Sequence, residues 1–369
     1  MSVFLKVALV FTASITIGIG AFAQDFVPQW NYEAGNSFGA LSMSPNAQYI
    51  AVQVVVWPDG NPNRGYYEVH LLDLNGKAIW KSKFDEMAYW EILGVSVSDG
   101  GDVVVLSSPG IQGMYVRPKK EWDYCLLTLI DRTGTFILKT KVGECCNGGI
   151  AISPDGNYIF LSVDWGKSLL LLDRNGKKVW SDHDDNAGYS GPAIAQGGNL
   201  IFYNTKTEMV HVWNGQDKKW WTAPCPYSQL CRISPLGQWV ATIVESDDQL
   251  ADAFKGSCEN YGNISIYNSH GHIEVSGGRT CTTHDFAVTD NGMVVDLYSD
   301  MQPNVYHVRI FDLSKSDVTP LSIYKFETPS GKHSGGSPSL EVSGDGQVVA
   351  ITTPYTLYYL KAKILEKKW

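Results

Sequence analysis

Two adjacent residues have the types needed for acid–base chemistry. His284 and Asp285 stand next to each other at the start of an apolar run, and a histidine beside a carboxylate can act as a general base with its orienting partner. The alternative is a structural hydrogen bond that satisfies both side chains. No Gly-x-Ser-x-Gly motif accompanies the pair, so a serine hydrolase is not supported.

Metal and cofactor chemistry has weaker support. Residues 182–186 offer oxygen ligands for calcium, but they lack the spacing and the glycine of a calcium-binding loop, which favours a solvated acidic link. Cys145 and Cys146 are adjacent, as in the quinone-dependent alcohol dehydrogenases, yet no calcium or pyrroloquinoline-quinone ligands of that family are recognisable. We therefore predict neither a metal nor a cofactor.

Aromatic residues are concentrated in the segments between the predicted strands. Exposed rings of this kind would form a contact platform for a glycan or a protein, whereas buried rings would only pack these segments onto the core. Both interpretations stay open. The candidate ligand- or partner-binding residues are Trp57, Tyr115, Trp122, Tyr261, His284 and Asp285.

The start of the chain has the pattern of a secretory signal peptide. Lys6 precedes an apolar stretch over residues 7–20, and Ala21-Phe22-Ala23 follows as a cleavage site. An uncleaved anchor is the alternative. We expect residues 1–23 to be removed and residues 24–369 to form one domain, either extracellular or periplasmic. No later segment approaches the roughly 20 apolar residues of a membrane span.

Cysteines and charge bear on the surroundings of the domain. The chain has seven cysteines, and behind a signal peptide disulfides are expected. Shared or adjacent connections predict Cys225–Cys231, Cys258–Cys281 and Cys125 with either Cys145 or Cys146, which leaves a seventh cysteine. The net charge of −9 argues against nucleic acid and anionic membranes, so the expected partner is an extracellular protein or glycan. Asn263 begins a glycosylation sequon.

A strand–turn–strand unit occurs seven times along the chain. The turn is clearest at Ser153-Pro154-Asp155-Gly156, and the copies are 39 to 55 residues apart. The apolar residues that enter the turns are Met43, Val97, Ile152, Ile194, Ile233, Val288 and Val342. A repeat of this length that fills the chain predicts a propeller.

A second turn completes each unit. Leu72-Asp73-x-Asn75-Gly76-Lys77-x-x-Trp80 is repeated at 172–180, and Asn-Gly between apolar runs is a strong hairpin signal. Each unit then has four antiparallel strands, A to D, and the chain is predicted to be an all-β, seven-bladed propeller. Residues 26–30 are expected to supply the last D strand and close the ring, with residues 362–369 as the alternative.

These motifs resemble the pyrroloquinoline-quinone-type repeats and the Ser-Pro-Asp-Gly repeats of TolB-type propellers. The resemblance covers the repeats after residue 24 and implies the fold, whereas propellers host many functions. The A–B and C–D turns are short, so the insertions and the cysteines fall at the other face. We expect a secreted, non-enzymatic binding or assembly module that uses this face. The alternative is an extracellular enzyme with an axial pocket, such as a lyase, a lactonase or a quinoprotein.

Overall fold

The computed structural model describes most of the chain after the predicted signal peptide. The described residues are 25–34, 37–57, 65–84, 90–109, 124–144, 149–214, 219–225, 231–244, 263–271, 273–279, 283–299, 305–312, 322–327, 338–353 and 355–363. Within these ranges the structure is almost entirely β, with two short 3-10 helices at Asp164–Gly166 and Gln196–Gly198.

The strands fall into blades of four. In chain order they are β1 (Asp25–Tyr32), β2 (Ser37–Met43), β3 (Tyr49–Val56), β4 (Tyr66–Asp73), β5 (Ala78–Phe84), β6 (Trp90–Val97), β7 (Val103–Pro109), β8 (Leu126–Ile130), β9 (Phe136–Lys141), β10 (Gly149–Ile152), β11 (Tyr158–Val163), β12 (Ser168–Asp173), β13 (Lys178–His183), β14 (Tyr189–Ile194), β15 (Leu200–Asn204), β16 (Met209–Asn214), β17 (Lys219–Pro224), β18 (Cys231–Ile233), β19 (Trp239–Val244), β20 (Asn263–Asn268), β21 (Ile273–Arg279), β22 (Thr283–Val288), β23 (Met293–Ser299), β24 (Val305–Asp312), β25 (Ser322–Glu327), β26 (Ser339–Val342), β27 (Val348–Thr352) and β28 (Leu357–Lys363).

Seven antiparallel four-stranded sheets form a seven-bladed propeller, which confirms the predicted fold. Six blades are continuous in sequence, from β2–β5 to β22–β25, and the seventh has the order β26-β27-β28-β1. Strand β1 pairs with β28 from Asp25 opposite Lys363 to Tyr32 opposite Leu357. The N-terminal strand therefore closes the ring, as predicted. The seven apolar residues that were expected to enter the A–B turns are the last residues of the seven A strands.

The core lies between neighbouring blades. Each cluster combines apolar side chains of adjacent sheets, for example Val104 and Leu127 of the second blade with Ile159 and Leu161 of the third. Burial of these side chains removes apolar surface from water, which is the main favourable contribution to folding. Each blade is therefore stabilised mainly by its neighbours.

The A–B turns are organised by the serine hydroxyl of the Ser-Pro-Asp-Gly unit. In the third blade, Ser153 Oγ accepts the Tyr158 N–H at 3.0 Å and donates to Asp155 Oδ1 at 2.6 Å. Gly156 has a φ of 74°, which a residue with a Cβ adopts only at a cost. The repeated residues are thus explained by the turn itself.

The C–D turns are organised by the aspartate of the Leu-Asp unit. Asp73 Oδ1 accepts the N–H groups of Asn75 and Lys77, both at 2.9 Å, and Gly76 has a φ of 77°. The C–D connection of the sixth blade differs from the prediction of uniformly tight turns, because β24 ends at Asp312 and β25 begins only at Ser322.

Large D-strand side chains lie on the glycine of the next blade's C–D turn. Trp30 of the seventh blade packs on Gly76 of the first, donates from its indole Nε1 to Leu74 O at 2.9 Å, and stacks on Tyr359 with ring centroids 4.7 Å apart. Trp221 contacts Gly271 in the same way and donates to Ser269 O at 3.0 Å. These indoles join the outer edges of successive blades. Among the described residues, no helix has the length and apolar character required to cross a membrane.

We expect Gly76→Ala to destabilise the protein more than Gly198→Ala. Both glycines have a positive φ, 77° and 84°, so alanine costs roughly 1–2 kcal/mol at either site. A Cβ at Gly76 would lie 2.7 Å from Trp30 Cδ2, whereas one at Gly198 meets nothing within 4 Å. Displacement of the indole should add roughly 1–3 kcal/mol. Chemical denaturation measures both losses, and equal losses would show that the indole contact contributes nothing.

Candidate functional site

Three of the six candidate binding residues lie outside the part of the chain that the structure describes. Trp57, which follows β3, is described and is partly buried. Tyr115, Trp122 and Tyr261 fall outside the described residues. His284 belongs to β22, but its side chain is not described. The predicted aromatic platform therefore stays a prediction.

Asp285 is described and joins three blades. Its Oδ1 accepts from Arg232 Nη2 of the fifth blade at 2.5 Å, and its Oδ2 accepts the Leu340 N–H of the seventh blade at 3.0 Å. Asp285 as a whole residue is 8% exposed. Both carboxylate oxygens are thus used by neighbouring blades, which gives this residue a structural role whatever else it does.

Arg232 lines an axial cavity of about 300 Å³. The residue two positions before each A–B turn lies at the wall of this cavity, and we call these seven positions the channel ring. The channel ring consists of Ser42, Ser96, Ala151, Ala193, Arg232, Ala287 and Glu341. Five of the seven side chains are therefore small, and the two ionisable ones belong to the fifth and seventh blades.

The small serines of the channel ring bind the next blade. Ser42 Oγ accepts the Val97 N–H at 3.1 Å, and Ser96 Oγ accepts the Ile152 N–H at 3.2 Å. Arg232 and Asp285 make the equivalent link between the fifth and sixth blades with a pair of opposite charges. The ring thus uses side chains at its wall to hold successive A strands together.

Glu341 differs from the other polar residues of the cavity wall. Protein surrounds it, but its side chain faces the channel and is partly accessible, and no described group donates a hydrogen bond to its carboxylate. Burial and the negative charge of Asp285 raise the pKa of Glu341 to about 8, against the opposing effect of the Arg232 guanidinium. At neutral pH the Glu341 carboxyl is mostly protonated.

The tight-turn end of the channel is bordered by a hydrogen-bonded ring of turns. The backbone N–H of one turn donates to the carbonyl of the next in four cases: Asp99 to Pro154 (2.8 Å), Gln196 to Pro235 (2.7 Å), Asp290 to Gly344 (2.9 Å) and Gly344 to Pro45 (2.8 Å).

At Pro45 and Pro235, which lack that donor, the following residue replaces it. Asn46 N–H donates to Asp99 Oδ1 at 2.8 Å, and Leu236 N–H donates to Asp290 Oδ1 at 2.7 Å. Burial raises the pKa of Asp99 and Asp290, and the charges of Asp99 and Asp345 raise that of Asp290 further. This end of the channel is therefore acidic.

A second cavity, of about 250 Å³, lies between the third and fourth blades. Its lining is apolar: Leu171, Val179, Trp180, Leu200, Trp213 and Trp220. Trp220 forms tilted ring pairs with Trp180 and Trp213 at centroid distances of 5.9 Å and 5.3 Å. The cavity widens the seam between two blades and has almost no polar groups to orient a ligand.

The acidic residues of the calcium candidate at residues 182–186 interact with nearby side chains and backbone groups. Asp182 Oδ2 accepts from the Tyr189 hydroxyl at 2.8 Å, and Asp184 Oδ1 accepts the Asn186 N–H at 2.8 Å. Asp185 lies 3.5 Å from Lys167 Nζ at the surface. Among the described residues, no group of three or more potential ligands could hold a metal ion.

The predicted Cys225–Cys231 disulfide is wrong for this structure, because both residues are thiols. Both side chains are fully buried in the apolar cluster of the fourth and fifth blades, beside Tyr203 and Val240. There they pack as small apolar side chains. Burial raises the pKa of Cys231 to about 12, so the reactive thiolate is scarce.

Cys125 is disulfide-bonded, and its partner is not among the described residues. The choice between Cys145 and Cys146, and the Cys258–Cys281 pairing, stay predictions. Cys145 and Cys146, and likewise Cys258 and Cys281, lie outside the described residues. Cys125 exchanges backbone hydrogen bonds with Val142 and Gly143, which brings it to the segment that leads to the predicted partners. Asn263 begins β20, and its glycosylation stays a prediction.

Alkylation can test the correction. We expect Cys225 and Cys231 to resist iodoacetamide in the native protein, because both are buried. Both should be alkylated in guanidinium without any reductant, as peptide mass spectrometry would show. Alkylation that requires a reductant would mean that they are joined in a disulfide.

No protein-family model matches the chain, and no curated protein sequence matches it significantly. From the sequence, His284 and Asp285 were expected at the start of the sixth blade's A strand, and they lie in β22. Arg232 and Glu341, which were not predicted, each occupy the second-last position of an A strand. The signal that could have found them is the alignment of the seven turns, which puts both at a position where the other copies have serine or alanine.

Proposed function

We propose that the chain is a non-enzymatic binding or assembly module. Its partner would be an extracellular protein or glycan, and its binding surface the face from which the B–C and D–A connections leave. The contrast between the two faces carries this proposal. On the tight-turn face, backbone hydrogen bonds join neighbouring A–B turns, and the C–D connections are short except in the sixth blade, which leaves little room for a recognition surface.

The opposite face has room for variation. The B–C connection of the second blade runs from Pro109 to Leu126, and that of the fifth from Val244 to Asn263, whereas that of the fourth needs only residues 205–208. Loops of variable length on a rigid scaffold commonly carry binding functions. Trp57 and the candidate aromatic residues belong to connections of this group.

Two further parts of the proposal rest on sequence. Residues 1–23 support secretion to the extracellular space or the periplasm, and they lie outside the described residues. The Leu-Asp-x-Asn-Gly and Ser-Pro-Asp-Gly units support a relation to pyrroloquinoline-quinone-type or TolB-type repeats. The contacts of Asp73 and Ser153 explain these repeated residues by turn formation.

An extracellular enzyme that uses the axial channel is the second candidate. One observation favours it: Glu341 faces the cavity with a pKa of about 8, next to Arg232, and could exchange a proton near neutral pH. Turnover of a substrate by the wild type that Glu341→Gln abolishes would support this candidate over a binding module.

We expect Trp122→Ala and Tyr115→Ala to weaken binding to hits from an oligosaccharide array or a panel of secreted proteins. Loss of an aromatic anchor should cost roughly tenfold or more in affinity. Phe136→Ala is the matched control, because Phe136 is 52% exposed beside a C–D turn on the opposite face. Melting temperatures should stay nearly unchanged. Equal loss in the Phe136 variant, or melting loss without a specific loss of binding, would contradict the proposed face.

A further inference from the structure

The channel ring is chemically asymmetric in one sector. Seven equivalent positions face the axial cavity, and ionisable side chains occupy only Arg232 and Glu341. These two belong to the blades on either side of the sixth, which contributes Asp285. Three ionisable groups among the described side chains therefore meet at one side of a cavity whose remaining ring positions are serine and alanine.

Among the described groups of this sector, the Glu341 carboxyl is the one that takes part in no hydrogen bond. Asp285 binds Arg232 through one oxygen and the Leu340 N–H through the other, at 2.5 Å and 3.0 Å. Arg232 also donates from Nη1 to Cys231 O at 3.2 Å. Glu341 accepts no hydrogen bond from any described group, although its carboxyl faces the channel. Within the described part of the chain, the Glu341 carboxyl therefore has no protein donor, and it is open to the channel.

The charges in the sector also do not balance. Among the described side chains, two carboxyl groups face one guanidinium, and Asp285 already pairs with Arg232 at hydrogen-bond distance. Glu341 is therefore the excess acid of these three groups, and its raised pKa of about 8 favours the protonated form at neutral pH. The buried Cys231 thiol beside Arg232 adds no charge near neutral pH, because its pKa is about 12.

Negative charge at the tight-turn end of the channel also favours a cationic ligand over an anionic one. Asp99, Asp290 and Asp345 interact there, and their mutual repulsion contributes to the raised pKa of Asp290. These three carboxylates are not part of the cavity wall, but their turns border its end, and their negative charge disfavours an anion there. Arg232 at the cavity wall is already paired with Asp285. A cation would instead meet an acidic channel and an unbalanced carboxyl.

We infer that the axial channel binds a small organic cation of the primary-ammonium class, whose charge replaces the proton on Glu341. The ammonium group donates hydrogen bonds to the Glu341 carboxylate, and the displaced proton goes to solvent. No covalent bond changes. The apolar part of the ligand lies against Ala151 and Ala193, and the cavity of about 300 Å³ limits it to a small molecule. This site is separate from the loop face of the proposed function.

Isothermal titration calorimetry with n-butylammonium tests the inference on the full mature chain. We expect binding at pH 7 with release of roughly 0.9 protons, measured from the difference between phosphate and Tris buffers. Affinity should rise close to tenfold per pH unit between pH 6 and pH 7. Glu341→Gln should weaken binding at least tenfold, whereas Glu33→Gln, the same change at an exposed site, should leave it unchanged.

A second variant keeps the test decisive if Glu341→Gln fails to fold. Ala193→Leu fills the channel ring and should block n-butylammonium without removing any charge, in a protein that still melts cooperatively. The inference is overturned if n-butylammonium does not bind, or if it binds without proton release. Tighter binding of n-butyrate would overturn it too, as would complete competition by sodium or potassium at equal concentration. None of these four outcomes depends on Trp122 or Tyr115, so the loop-face proposal stands or falls separately.

Discussion

Contact between each blade and the turns of the next is the constraint on which this propeller depends. No blade can bury both of its faces alone, so the ring is stable only if neighbouring sheets fit closely. Trp30 and Trp221 make that fit at the outer edge, where an indole lies on the turn glycine of the next blade. Near the axis, hydrogen bonds between A–B turns join neighbouring blades. The repeated residues are therefore mostly committed to these seams.

These structural roles limit the positions of the repeat at which side chains can differ between blades. The turn positions cannot vary freely, because Asp73 and Ser153 each satisfy several backbone groups. The position two residues before each A–B turn is freer, since it needs only to reach the next blade or leave space. Arg232 and Glu341 exploit that freedom at the cavity wall. Because the blades are otherwise alike, the ionisable residues at two channel-ring positions indicate a role specific to those blades.

The architecture was predictable from the sequence because its signals repeat. Seven turns at regular spacing defined the A strands, and the closing strand followed from the lack of a C–D turn near the C-terminus. Side-chain direction was harder to predict. The spacing of Cys225 and Cys231 was compatible with a disulfide, but both sulfurs turn into an apolar cluster. Glu341 in turn was hidden within a short apolar strand, where only alignment of the seven copies marks it.

The central claim is that Glu341 is the unbalanced acid of the channel. The most direct test is a 13C NMR titration of the glutamate side-chain carboxyl carbons, with the Glu341 signal identified by its loss in Glu341→Gln. The account predicts a titration midpoint near pH 8, because burial and Asp285 oppose ionisation. A midpoint at the ordinary value of about 4.5 would show that the carboxylate is already balanced, and would contradict the account.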